Sequence, residues 1–185
     1  MKLNKYTLRS FLMLVFLAAL YRAIPGRPWG FAPQFAMAIF GGAVFADKKL
    51  SFLLPILSLL ISDVVYQLLY INGLFEISGF YEGMWLNYLL FGSLTVVGFF
   101  INPAKVSSIA KGAFAAPTLF FLASNFVTWV GNGGFQRAKT FSGLMQTYID
   151  GIPFYANSVV ATVVFGAFLF GANYIMVGKL IKSKA

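Results

Sequence analysis

The chain contains no cysteine and no histidine, and only five of its 185 residues are acidic. The first two absences exclude disulfides, thiolate nucleophiles, a Ser-His dyad, a histidine general base and any metal site built on His or Cys. They say nothing about redox compartment. Charge of either sign is scarce, at 10% of residues against roughly 25% in an ordinary soluble domain. There is no Walker-type glycine loop to hold a nucleotide. An intramembrane aspartyl protease needs two carboxylates at membrane depth, and only Asp63 qualifies. Catalysis is therefore not expected, and no cofactor or metal is implied.

What is present is apolar. Hydrophobic residues make up 59% of the chain, with 22 Phe among them, and they gather into runs long enough to face lipid. The reading is an all-α membrane protein, a single domain over residues 1–185 with six transmembrane helices. The expected spans cover about residues 7–24, 31–46, 50–70, 84–101, 112–130 and 158–178. Pro25-Gly26-Arg27-Pro28 closes the first, Asp47-Lys48-Lys49 the second and Asn102-Pro103 the fourth, and Lys105 to Lys111 forms a short basic connection.

Fourteen Lys and Arg give a net charge of +9, which in a soluble protein would point to nucleic acid. Here Lys2, Lys5, Arg9, Lys48, Lys49, Lys105, Lys111, Lys179, Lys182 and Lys184 flank the apolar runs, so the partner is the bilayer and no nucleic acid is expected. With the N-terminus in the cytoplasm these ten share one side. Only Arg22, Arg27, Arg137 and Lys139 fall on the other, which satisfies the positive-inside rule and makes both termini cytoplasmic. The basic start followed by an apolar run is the pattern of a secretory signal. Tyr21-Arg22 occupies the place of a small-residue cleavage site, so this segment is read as a span.

A few polar residues in apolar surroundings need a reason. Asp63 lies in the third span, about 20 Å from its inner edge and about 10 Å from its outer one. A carboxylate there costs a few kcal/mol unless paired, hydrated or protonated. It is either a ligand or ion contact in an outward-facing cavity or a tie to Arg22 at the outer end of the first span, and the two roles are compatible. Gln34 follows Phe31-Ala32-Pro33 at the outer end of the second span, where a buried amide can bond a ligand. Ala38, Gly41, Gly42 and Ala46 give that helix a small-residue face suited to close packing, and Ala19 with Ala23 and Ala167 with Gly171 repeat the spacing. Asn125 and Trp129, four apart, share a helix face that suits either a flat ligand with a polar edge or interfacial anchoring. Asn87, beside Trp85, raises the same question. Phe141, Leu144, Met145, Tyr148 and Ile149 recur at helical spacing before a stop at Asp150-Gly151-Ile152-Pro153. They predict a short amphipathic surface helix, either a lid or an anchor.

Several stretches carry a family resemblance: Arg22-Ala23-Ile24-Pro25, Phe31-Ala32-Pro33 through Phe40-Gly41-Gly42-Ala43, Pro55 through Ser62-Asp63, Ser124-Asn125-Phe126 with Trp129, Gly143-Leu144, and Gly151-Ile152-Pro153-Phe154. Together they resemble an uncharacterised group of bacterial six-helix transport-type proteins, itself similar to the S-components of energy-coupling-factor (ECF) vitamin transporters. The resemblance implies a protein of the bacterial cytoplasmic (inner) membrane, with an outward-facing pocket roofed by loops. Its substrate would be a vitamin-like small molecule, and its partners an ECF-type coupling subunit and ATPases. Asp63, Asn125, Trp129, Arg22, Gln34 and Asn87 would line or brace the pocket. Solitary cobalamin-type members are associated with a cobalt-ligating cysteine; this chain has none, which excludes a cobalt-thiolate mechanism. Two alternatives stay open: a stand-alone proton-coupled carrier with Asp63 as its titrating group, and a non-transporting membrane scaffold whose small-residue faces bind partner helices.

Overall fold

The computed structural model describes residues 5–22, 24, 26–131 and 133–182. Lys2, Ala23, Pro25 and Lys184 lie outside the described residues, as do the side chains of Lys5, Arg9, Lys179 and Lys182. The described secondary structure is six helices: α1 (Lys5–Arg22), α2 (Gln34–Val44), α3 (Lys48–Ile71), α4 (Met84–Phe99), α5 (Val106–Val130) and α6 (Phe141–Lys182). Three of them, α3, α5 and α6, are long and apolar enough to cross a membrane. The described side chains of α1 begin at Leu12, and α2 and α4 are shorter than a span.

The expected second span is thus a much shorter helix. At 11 residues α2 rises about 16 Å, half of the roughly 30 Å hydrocarbon thickness. Pro33 sits at its N-cap, where a missing N–H costs nothing, and the chain is extended again at Phe45. Its apolar character has another cause. Every residue from Gln34 to Gly42 is buried, and the helix packs on α3, α4, α5 and α6. It is the core of the bundle, with Phe35, Met37, Ile39 and Phe40 packed among Leu54, Leu94, Ala116 and Phe170.

The small residues of α2 work inside this bundle. A Cβ on Gly42 would lie 2.2 Å from the Thr95 carbonyl oxygen, and one on Gly98 2.4 Å from that of Ile39. Helices α2 and α4 therefore cross in backbone contact, which only glycine at both positions allows. Ser51 Oγ donates to Gly41 O at 2.8 Å and ties α3 to the same place.

Two loop expectations give way to helix. Lys105 is the N-cap of α5, so Lys111 stands on the helix, exposed, instead of in a connection. Nothing from Val106 to Ala110 breaks a helix, and a lysine can carry its ammonium to solvent along a long stem. More consequentially, the surface helix and the sixth span are one helix of 42 residues, about 63 Å long, with Pro153 inside it. The expected stop at Asp150-Gly151-Ile152-Pro153 fails for two reasons. Asp150 is satisfied sideways by Arg137 and Gln146, so it does not cap a new helix. Proline also removes only one backbone bond, whereas ending a helix among apolar neighbours orphans several carbonyls.

Candidate functional site

Where α2 and α4 begin and α3 ends, the bundle opens into a cavity of about 480 Å³. Its floor is aromatic. Phe35 of α2, Phe91 of α4 and Phe120 of α5 meet with ring centroids 4.6–5.1 Å apart. Two connections roof it. The α1–α2 loop is held to α6 by Asn157 Nδ2 donating to Trp29 O at 2.9 Å and Ser158 Oγ donating to Gly30 O at 3.1 Å. The α3–α4 loop folds back on α3, where Gln67 Oε1 accepts from Ser78 Oγ and the Phe80 amide at 2.8 and 3.2 Å. A Cβ on Gly79 would fall 1.8 Å from the Asp63 carbonyl oxygen, so this loop lies directly on the α3 backbone.

One wall is a closed polar network. Asp63 is 2% exposed, and both of its oxygens are engaged. Arg22 Nη1 donates to Oδ1 at 2.8 Å, and the Tyr88 hydroxyl donates to Oδ2 at 2.7 Å. The same guanidinium reaches Ser62 Oγ and lies 5.7 Å from the centroid of the Tyr66 ring, while the Tyr66 hydroxyl donates to Arg22 O. Cation, hydroxyl and carboxylate thus tie α1, α3 and α4 together. This is the arrangement that makes a buried carboxylate affordable.

The other polar groups are not closed. Gln34 is 1% exposed and lines the cavity, yet neither its Nε2 nor its Oε1 has a hydrogen-bond partner. Such groups cost about 1–3 kcal/mol each when left unpaired. Arg27, in the α1–α2 loop, donates through Nη1 to Phe31 O at 2.7 Å, but its Nε is buried without a partner. It has no carboxylate partner among the described residues. Asn87 donates to the Tyr81 hydroxyl at the rim.

Of the six residues singled out in the sequence, Arg22, Gln34, Asp63 and Asn87 therefore meet at one cavity, and Asn125 and Trp129 do not line it. Asn125 donates back to Phe121 O at 2.8 Å, and its side chain packs on Gly151 of α6. Trp129 Nε1 donates to Ala138 O at 2.9 Å, with Lys139 Nζ 5.2 Å from the ring centroid. Asn125 thus packs α5 on α6, and Trp129 holds the α5–α6 connection. The stretch expected as a lid is likewise absent from the lining, to which α6 gives only Phe154 and Ser158. The Arg137–Asp150 pair, at 2.8 Å, fastens that connection instead, and the hydrogen bonds that Arg137 donates to Asp150 raise the Arg137 pKa above its ordinary value.

Arg27 and Tyr88 were missed. Arg27 reads in the sequence as one of four cations on the sparse side, and only its lack of a carboxylate neighbour marks it. Tyr88 hides among 18% aromatic residues. Three larger grooves, about 580 Å³ between α1 and α6, about 510 Å³ between α4 and α5 and about 700 Å³ between α5 and α6, carry no charged side chain. Among the described residues no group of His, Cys, Asp or Glu could hold a metal ion.

Over residues 2–183 the chain matches the model of DUF6580, a family of unknown function, and it belongs to that family. No curated protein and no solved structure matches it. None of these comparisons carries the resemblance to ECF S-components.

Proposed function

We propose that the chain is a membrane-embedded binding and uptake protein for a vitamin-like small molecule, which it takes into the roofed cavity at the head of α2. The observation that carries this reading is Gln34. Folding buries its amide beside a cavity of ligand size and leaves both polar atoms unpaired, an expense that a bound molecule can offset. The aromatic floor and the two anchored loops support a partly enclosed site for a flat molecule. The S-component resemblance supports uptake driven by a separate coupling subunit and ATPases. In this reading Arg22, Asp63 and Tyr88 brace the wall, Gln34 and Asn87 contact the ligand, Asn125 packs α5 on α6, and Trp129 holds the α5–α6 connection.

The test is a thermal-shift screen of the purified protein in detergent against vitamins, cobalamin precursors and nucleosides. A ligand at 100 times its dissociation constant adds about 2.7 kcal/mol of stability. A shift with one compound, abolished in Gln34→Leu, supports binding; a flat response across the panel overturns it.

A scaffold role is the second reading, favoured by one surface. On α6, a Cβ added at Gly166 or Gly171 would meet nothing within 4 Å, and both line the open α5–α6 groove, where a partner helix could approach closely. Co-purification of a stoichiometric membrane partner, lost in Gly166→Leu and without any ligand response, would move the assignment there. The proton-carrier alternative finds less support, because both oxygens of Asp63 already have donors.

A further inference from the structure

We infer that the ligand is a planar heteroaromatic monoanion that sets an amide-type ring edge against Gln34 and its negative group against Arg27. The inference rests on the binding reading above and narrows it to a chemical class.

Charge gives the sign. The ionised side chains lining the cavity are Arg22, Arg27 and Asp63, two cations against one anion. Asp63 is committed to Arg22 and Tyr88, so the uncompensated charge belongs to Arg27. Glu76 and Glu82, the acids of the roofing α3–α4 loop, are exposed and do not line the cavity. A cation with a buried, unpaired Nε is stabilised most by an anion that also accepts a hydrogen bond, and carboxylate does both.

The edge follows from Gln34. A primary amide presents a C=O and an N–H side by side, and the group that satisfies both at once carries an adjacent N–H donor and an acceptor, as the lactam or imide edge of a heterocycle does. Asn and Gln read nucleobase edges by the same bidentate logic. A carboxylate, which has no donor, would leave Oε1 unpaired. Planarity follows from the floor, because Phe35, Phe91 and Phe120 offer ring faces and edges to a flat ligand.

Three matched probes separate these features. Orotate has the imide edge and the carboxylate; uracil-6-carboxamide keeps the edge and loses the charge; benzoate keeps the charge and loses the edge. Each is titrated against the purified full-length protein in detergent by thermal shift and calorimetry, beside the neutral nucleosides of the broader screen. Orotate is expected to bind at least about tenfold more tightly than either analogue, the effect of one charge-assisted or two neutral hydrogen bonds. Arg27→Gln should remove the preference over the carboxamide, and Gln34→Leu the preference over benzoate. Because Arg27 also bonds Phe31 O, Arg27→Lys serves as the folding control and should keep the preference for the anion. Equal binding of orotate and the carboxamide overturns the inference. So does binding of a neutral nucleoside while orotate fails at about 10 mM; in that case the binding reading survives and only the ligand class falls. Silence from every compound defeats both.

Discussion

The two ends of α2 solve the burial of polar atoms in opposite ways. At its C-terminal end, Gly41, Gly42 and Gly98 bring backbones into contact, Ser51 closes on Gly41 O, and the space is full. At its N-terminal end the neighbouring helices part around about 480 Å³, and Gln34 is buried without partners. One short helix thus has a closely packed end and an end that leaves a buried amide unpaired beside a cavity. The lesson is that polarity does not mark the site, since Asp63 is the costliest polar group and is satisfied on both oxygens. What marks it is polarity without closure, next to empty volume.

The largest expected effect tests whether the Asp63 network belongs to structure. Arg22→Met leaves a carboxylate that is 3% exposed without its cation and should cost about 3 kcal/mol or more. Adding Asp63→Leu should restore most of that stability, because a missing pair is cheaper than half of one. Denaturant unfolding in detergent measures both. If the double variant is no better than the single one, the pair does more than brace the wall.

Next comes the packed end. Gly98→Val would drive a side chain into the Ile39 carbonyl and Gly42, forcing α2 and α4 apart at a cost of about 3 kcal/mol. A thermal midpoint unchanged from the parent would show that the crossing is not tight, and the contrast between the two ends would lose one side.

How much of this the sequence discloses depends on whether a signal is local. The existence and order of the helices follow from apolar runs and their punctuation, and Asp63 with Arg22 from the cost of charge in apolar surroundings. Composition could not tell the central position of α2 from a membrane span, since both are continuously apolar; only its neighbours make the difference. The continuity of α6 was hidden because Gly151 and Pro153 are good local stop signals, and what overrides them lies in Arg137 and Asn125 of other segments. Asn125 and Trp129 share a helix face as expected, but which neighbour that face meets is tertiary information. Gln34 was legible as a residue and not as an orphan, because lack of a partner is visible only in three dimensions.

A smaller effect follows from that placement. Trp129→Phe should cost about 1 kcal/mol through the lost bond to Ala138 O and leave ligand affinity within about twofold. A larger loss of affinity, read by calorimetry with whichever compound the screen finds, would bring the α5–α6 connection into the site.

The smallest effect gives the sharpest contrast, because the packed end has an orphan of its own. Thr95 is fully buried on α4, and its Oγ1 has no partner. Thr95→Val keeps the shape and removes an unpaired hydroxyl, so stability should stay level or rise by about 0.5 kcal/mol. Gln34→Leu removes two unpaired atoms and should likewise leave the ligand-free protein no less stable. The two variants part on ligand addition: the Thr95 variant should keep its thermal shift and the Gln34 variant should lose it. Matched stability with divergent binding would mean that an unpaired buried atom indicates function only where there is room for a partner. Loss of the shift in both would mean that the two ends are coupled through α2, and that the packed end takes part in recognition.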